Sequence, residues 1–401
     1  MQSPPYAAAL FQPLRHARFR QLWLANLLSN LGSRMQAFAA AWQIATLSHS
    51  PQLTALVQTA TWAPMLLFAL PAGALADTLH RPTLLFRSNA VMALAAAAMA
   101  LLSCAGSQPV PALLLLTFAM GAGLAFTMPA WQASMSSLLP LQEVEAAATL
   151  NNLSYNLAAL AGPALGAVLF QLAGAAPLYW FNALSFSALL WRYRQWRSAE
   201  RPRATTHARR HSMGSALRIS CASPRYRSLL LHGMGIFFVS AAFAALLPLL
   251  HPDAGTYGSL MGALGAGAVL AAVVLPAVRR HAARRMVLAG GLAVYGAMLA
   301  TIGLAAAQPQ RLLLVAIGGV AWSAIVTTLN GAAQQAFPDA VRARTLSVHI
   351  LAIAAGQTAG SAAWGLLAAH CGIVPALTAA GTATLGCAAL VACSEDFLET
   401  P

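Results

Sequence analysis

The stretch Gly73–Leu85, GALADTLHRPTLL, stands between two apolar runs near 53–76 and 83–105, and it carries Asp77 and Arg81 four residues apart. Charge is scarce in this chain. Only 8% of its 401 residues are Asp, Glu, Lys or Arg, and 59% are hydrophobic types. Ordinary soluble proteins run at roughly 25% charged. So few polar side chains cannot cover a water-facing surface of this size. The two charges therefore mark a turn between membrane spans, and the chain reads as an all-α integral membrane protein.

What the chain lacks narrows its chemistry. All 23 residues of the Lys/Arg class are Arg, within a net charge of +14. A P-loop needs a Lys to reach the β- and γ-phosphates, so a nucleotide site of that kind is excluded. Five cysteines (Cys104, Cys221, Cys371, Cys387 and Cys393) show no C-x-x-C spacing and read as small hydrophobes. There is no H-E-x-x-H, no Cys/His cluster and no carboxylate pair within a span. No catalytic site, metal site or cofactor is expected, and the chain does not read as an enzyme.

A bilayer core of about 30 Å takes roughly 20 residues of helix. Twelve runs of that order fall near 22–46, 53–76, 83–105, 110–136, 148–172, 176–194, 228–250, 257–278, 286–307, 311–335, 346–369 and 373–393. An even number of spans puts both termini on one side. Of the 23 Arg, 21 lie in the N-terminal arm or in the 2–3, 6–7, 8–9 and 10–11 connections. Arginine collects on the cytoplasmic side, so both termini are expected there. The region 192–227 is the most basic of all. Insertion and anionic lipid account for that run, and no nucleic-acid partner is expected. The chain thus divides into a six-helix half at 1–194, a basic cytoplasmic linker at 195–227 and a second six-helix half at 228–401.

The halves echo each other. Gln132 stands eight residues before Pro140, and Asn330 eight before Pro338; a Thr-Leu pair opens the next helix in both places. GPALG at 162–166 corresponds to GSAAWG at 360–365. A parallel six-helix repeat is a transporter arrangement.

On these residues the chain resembles the major facilitator superfamily along essentially its whole length. Gly73, Asp77 and Arg81 match its 2–3 loop motif G-x-x-x-D-R-x-G-R-[RK] in part; Thr78, His80 and Pro82 depart from it. Within the superfamily the chain is most similar to the bacterial branch of enterobactin-exporter-like and multidrug-efflux-like proteins. FRQLWLANLLSNLGSRMQ, SPQLTALVQTATWAPMLLFALPAGALAD, WFNALSF and GGVAWSAIVTTLNGAAQQAFPDAVRARTLSV carry that likeness. The resemblance implies a conformational latch of Gly73, Asp77 and Arg81 with Arg342 and Arg344 at the start of the eleventh span. Gly73 would admit a close neighbour, and Asp77 would face a helix N-terminus. A plain solvated turn is the other reading. Gly162, Pro163 and Gly166 resemble the G-P-x-x-G element of exporters, which favours export over uptake.

In the first span Asn26, Ser29, Asn30, Ser33 and Arg34 share a face by helical spacing. Such a stripe turns away from lipid. Arg34 lies too deep to snorkel, and no acidic residue stands at its depth. Either it hydrogen-bonds carbonyls at an irregular point of its helix, or it meets an anionic or oxygen-rich substrate through its guanidinium fork. Further candidates for a substrate cavity are Gln58, Trp62, Asn152, Tyr155, Asn156, Asn330 and Gln334, with Thr327, Trp131, Gln132 and Gln357 weaker; a helix–helix hydrogen bond is the competing role for each. The expected function is secondary active export of a small metabolite, siderophore or drug-like, by alternating access, with the proton as coupling ion. Uptake of a small polar nutrient by the same fold is the alternative. A monomer in the bilayer is expected.

Overall fold

A computed structural model describes residues 11–199, 213–250, 253–394 and 398. No strand occurs among them. Twelve helices of eighteen residues or more account for most of the described chain: α1 (Ala17–Ser48), α2 (Pro51–Thr78), α3 (Arg81–Cys104), α4 (Val110–Leu138), α5 (Val144–Ala173), α6 (Ala176–Ala199), α8 (Pro224–Leu246), α9 (Ala254–Arg279), α10 (Arg284–Thr301), α11 (Gln308–Gln335), α12 (Asp339–Cys371) and α13 (Ile373–Cys393). Each apolar run of the sequence is one of these. Between the halves lies a short additional helix, α7 (Met213–Ala222), inside the stretch read as linker. Eight of the long helices are apolar enough by composition to cross a membrane. The polar residues of α1 keep it below that level.

Several ends follow from local chemistry. Pro82 lies in the first turn of α3 and Pro224 in that of α8, where a missing N–H costs nothing. Ser223 caps α8 by accepting from the Tyr226 amide, and Asp253 caps α9 by accepting from the Thr256 amide at 2.7 Å. Gly174 and Gly372 close α5 and α12 with φ of +74° and +91°, values that favour glycine.

The helices form two compact units. One takes the described residues within Met1–Ala40 and Leu67–Arg209, the other those within Ala41–Leu66 and Arg210–Pro401. The end of α1 and the start of α2 thus belong with the later helices. There Trp42 stacks on Tyr257 at 5.9 Å between centroids, and Thr59 Oγ1 lies 2.8 Å from Ser361 Oγ.

Within each unit the packing has the same plan. In the first, α3 packs on α6 and α4; in the second, α10 packs on α13 and α11. Gly162 and Gly166 bring α5 against α1, and Gly356 and Gly360 bring α12 against α8 at Met234 and Phe238. Trp364 donates to the Phe238 carbonyl at 2.9 Å. Without a hydrophobic drive between helices in lipid, small residues and interhelical hydrogen bonds are what make such contacts close.

Candidate functional site

The polar residues of α1 face two partners. Trp23 Nε1 donates to the Leu150 carbonyl at 3.1 Å, Asn26 Nδ2 to Asn151 Oδ1 at 3.4 Å, and Asn30 Nδ2 to Ser154 Oγ at 3.2 Å. Residue numbers rise together on both helices, so α1 and α5 run parallel. Ser33 turns instead to α6, where its hydroxyl lies 3.4 Å from Asn182 Oδ1. Asn182 is fully buried and donates to Gln36 Oε1 at 2.6 Å. The five-residue stripe therefore splits, with Asn26, Asn30 and Arg34 on the α5 side.

Arg34 stands just past the middle of α1. Its guanidinium carbon lies 4.4 Å from the centroid of the Tyr155 ring on α5. Beneath it is Gly162, where an added Cβ would collide with the Cβ of Arg34. A Cβ at Gly166 would come within 3.3 Å of the Met35 Cα and of the Phe38 ring. Gly162 is therefore the surface on which the Arg34 stem rests, Gly166 faces the next residue Met35 and Phe38, and Pro163 lies between the two glycines inside an unbroken helix. Arg34 makes no hydrogen bond and no ion pair among the described residues; the ion pair found there is His16–Glu143, at 3.1 Å. A guanidinium has five N–H donors, and the ring face of Tyr155 satisfies its charge but accepts none of them in the plane. The irregular-carbonyl reading of Arg34 has no bond to support it.

The remaining candidates are placed as follows. Asn152, Tyr155 and Asn156 are exposed on α5, Tyr155 by 48%, and neither asparagine makes a hydrogen bond among the described residues. Tyr155 reaches α1 through its ring, but the side chains that hydrogen-bond to α1 are the neighbours Asn151 and Ser154, which the sequence reading missed. Spacing from Asn26 and Asn30 was the available signal, since Asn151 and Ser154 are three apart like a helical face. Trp131 is committed to Asn151, its Nε1 3.1 Å from Oδ1. In the second unit Gln58 and Trp62 are half-buried. Asn330 Oδ1 accepts from His349 Nε2 at 3.1 Å, and the buried His349 Nδ1 has no partner among the described residues. Gln334 is exposed, and Thr327 receives a bond from Arg279.

The latch residues are only partly visible. The side chains of Asp77, Arg342 and Arg344 lie outside the described residues. Arg81 is half-buried at the start of α3. Among the described residues nothing lies within 4 Å of the place a Cβ would take at Gly73, so the close neighbour expected there is not found.

The family described as transmembrane secretion effector matches residues 8–396. The multidrug efflux pump Tap of Mycolicibacterium fortuitum is 26% identical over 349 residues, covering 83% of this chain and 85% of the pump. Among solved structures, a bacterial homologue of the human lysosomal transporter Spinster superposes with a TM-score of 0.71 at 14% identity, covering 96% of both chains. A POT family transporter gives 0.74 at 12% identity, covering 93% of this chain and 95% of the other. The nucleoside transporter NupG gives 0.71 at 11% identity, covering 94% and 98%. With that match along nearly its full length and a helical fold shared with solved transporters, the chain belongs to the transmembrane secretion effector family of the major facilitator superfamily, and is a multi-pass membrane transporter, not an enzyme.

Proposed function

We propose that the protein exports a small anionic or oxygen-rich compound, of the siderophore or drug-like kind, by alternating access across a bacterial inner membrane. The observation that carries this reading is Arg34: a guanidinium past the middle of a spanning helix, seated on Gly162, backed by Tyr155 and making no hydrogen bond among the described residues. An unpaired cation at that depth costs several kcal/mol unless water or a ligand satisfies it. A carboxylate, catecholate or phosphate oxygen pair fits the fork bidentately. Asn152 and Asn156, exposed one turn apart on the same helix as Tyr155, supply further donors. The likeness to an efflux pump supports the outward direction. The Arg-rich connections support cytoplasmic termini. Asp77 and Arg81 serve as the latch with Arg342 and Arg344, the proton is the coupling ion, and the monomer is the working unit.

The experiment is untargeted profiling of the medium from cells with and without this gene, iron-starved and iron-replete. A chelating metabolite that leaves the medium and accumulates inside deletion cells identifies the substrate. Restoring the gene with Arg34→Ala should then return less than about a tenth of the export, since a charged hydrogen bond of about 1.5–3 kcal/mol is lost. Normal export by that variant would sink the Arg34 role. Deletion cells that instead become sensitive to uncharged dyes, with an unchanged medium, would mark a drug exporter without anion preference. Dissipating the proton-motive force with a protonophore should stop export; continued export would rule out proton coupling.

A further inference from the structure

Two adjoining hollows open between α1 and α6 in the first unit. One, of about 210 Å³, is lined by Arg18, Gln21, Leu22, Arg192, Gln195 and Trp196. The other, of about 300 Å³, shares Gln21 and Arg192 and continues along Leu24, Ala25, Leu28, Ala188 and Trp191. Helical spacing explains the change in character. Gln21, Leu24, Ala25 and Leu28 lie at i, i+3, i+4 and i+7 on α1, and Ala188, Trp191, Arg192 and Gln195 do the same on α6. The polar end is formed by the start of α1 and the end of α6. From Gln21 to Leu28 the groove runs about 10 Å along the helix. Its apolar part is open, with Leu24, Leu28 and Trp191 exposed by 52%, 41% and 56%.

The polar end holds cationic capacity in excess of its acceptors. Arg192 Nη1 donates to Gln21 Oε1 at 3.1 Å and to Gln195 Oε1 at 3.3 Å, and its guanidinium carbon lies 4.5 Å from the Trp191 ring centroid. Its Nε and Nη2 have no acceptor among the described residues. Arg18 is exposed and makes no hydrogen bond or ion pair there. In the same wall Trp196 is 5% exposed, and its Nε1 is buried without an acceptor among the described residues.

We propose that this groove binds an anionic phospholipid of the leaflet at the Arg-rich end, with the phosphate at Arg18 and Arg192 and an acyl chain along Leu24, Leu28 and Trp191. A soluble anion would leave the apolar track unused, and a zwitterionic lipid would bring its own cation to an end that already holds two arginines. Arg18 lies more than four turns before Arg34 on the same helix, so the groove is distinct from the candidate substrate residues.

The test is lipid retention. The purified full chain is placed in nanodiscs of phosphatidylcholine mixed with an equal amount of phosphatidylglycerol, released, and its bound lipid weighed by native mass spectrometry. The wild type should retain phosphatidylglycerol in preference. Arg18→Gln with Arg192→Gln should weaken that retention roughly thirtyfold, from two surface-level arginines. Arg20→Gln, outside the groove, should leave it unchanged. Arg18→Gln alone removes no hydrogen bond or ion pair among the described residues and gives the same reading at smaller amplitude if the double variant does not assemble. Equal retention by wild type and double variant would overturn the site. So would phosphatidylcholine held as firmly as phosphatidylglycerol, or glycerol phosphate displacing the lipid as well as short-chain phosphatidylglycerol does.

Discussion

Arg34, Tyr155 and Gly162 form a small device whose parts come from α1 and α5. The ring gives the guanidinium a surface to lie on without consuming its donors, and a cation–π contact of this kind is worth about 0.5–2 kcal/mol. The glycine sets how close the stem can come. An alanine there would meet a Cβ bonded directly to the α1 backbone, so the helices must part; the side chain cannot simply swing away. Gly162→Ala should therefore lower transport about tenfold or more and cost about 1–3 kcal/mol of stability. Gly166→Ala, with its nearest neighbours at 3.3 Å, asks for a shift of tenths of an ångström. It should leave more than about half of the rate, because the strain is a fraction of that overpacking cost. Transport assays on the two variants at matched expression check the contrast, and equal losses would mean that Gly162 has no special tie to Arg34.

At the scale of the helix, α1 is held by polar pairs on two sides. Its α6 side depends on Asn182, which donates to Gln36 and accepts from Ser33 and Ser185. A Cβ on Gly32 would come within 2.7 Å of the Asn182 Oδ1, so the glycine keeps room for this amide. Asn182→Ala should destabilise the protein by about 1–2 kcal/mol, the range for interhelical hydrogen bonds in membranes. Thermal unfolding in detergent measures it, and an unchanged midpoint would show that the network is dispensable. The helices themselves were legible as apolar runs, but their ends less so. Hydropathy registers the part of a helix that crosses lipid. It placed the starts of α5 and α12 near 148 and 346, whereas the helices begin at Val144 and Asp339. The first segments VEAA and DAVRART are helical but carry Glu145 in the one and Asp339, Arg342 and Arg344 in the other, which lower their hydropathy. The α1 stripe was equally visible, yet its division between α5 and α6 was not. Periodicity says which residues share a face, and only packing says which neighbour each one meets. That is also why Asn152 and Asn156 stood out in the sequence while Asn151 and Ser154 make the contacts.

The whole molecule repeats one plan in two units: α5 on α1 and α12 on α8, each brought close by glycines. The repeat is one of frame rather than of chemistry. Where the first unit seats an arginine against Gly162, the second sets Trp364 and Gly360 against the Phe238 backbone. Among the described residues this charged seat lies in the first unit, so on the proposed reading substrate selectivity should reside there and cycling in the connections. Asp77→Asn should accordingly slow transport several-fold, as expected for loss of about 1 kcal/mol of helix-terminus attraction, with the rank order of transported compounds preserved. A competition series on the variant checks this; a changed order would argue against the latch.

The parallel register of α1 and α5 also has a consequence for how the protein is made. Asn30 precedes its partner Ser154 by 124 residues, and Arg34 waits similarly long for Tyr155 and Gly162. During synthesis α1 must enter the bilayer while its seat is still untranslated, and a central arginine then opposes insertion by about 2.5–3.5 kcal/mol. Nascent chains halted before α5 should hold α1 incompletely integrated, and chains halted after α5 should hold it firmly. Arg34→Leu should erase that difference. Alkaline extraction of chains arrested at the two lengths reads the outcome directly, and full integration of the shorter wild-type chain would show that α1 needs no later partner to stay in place.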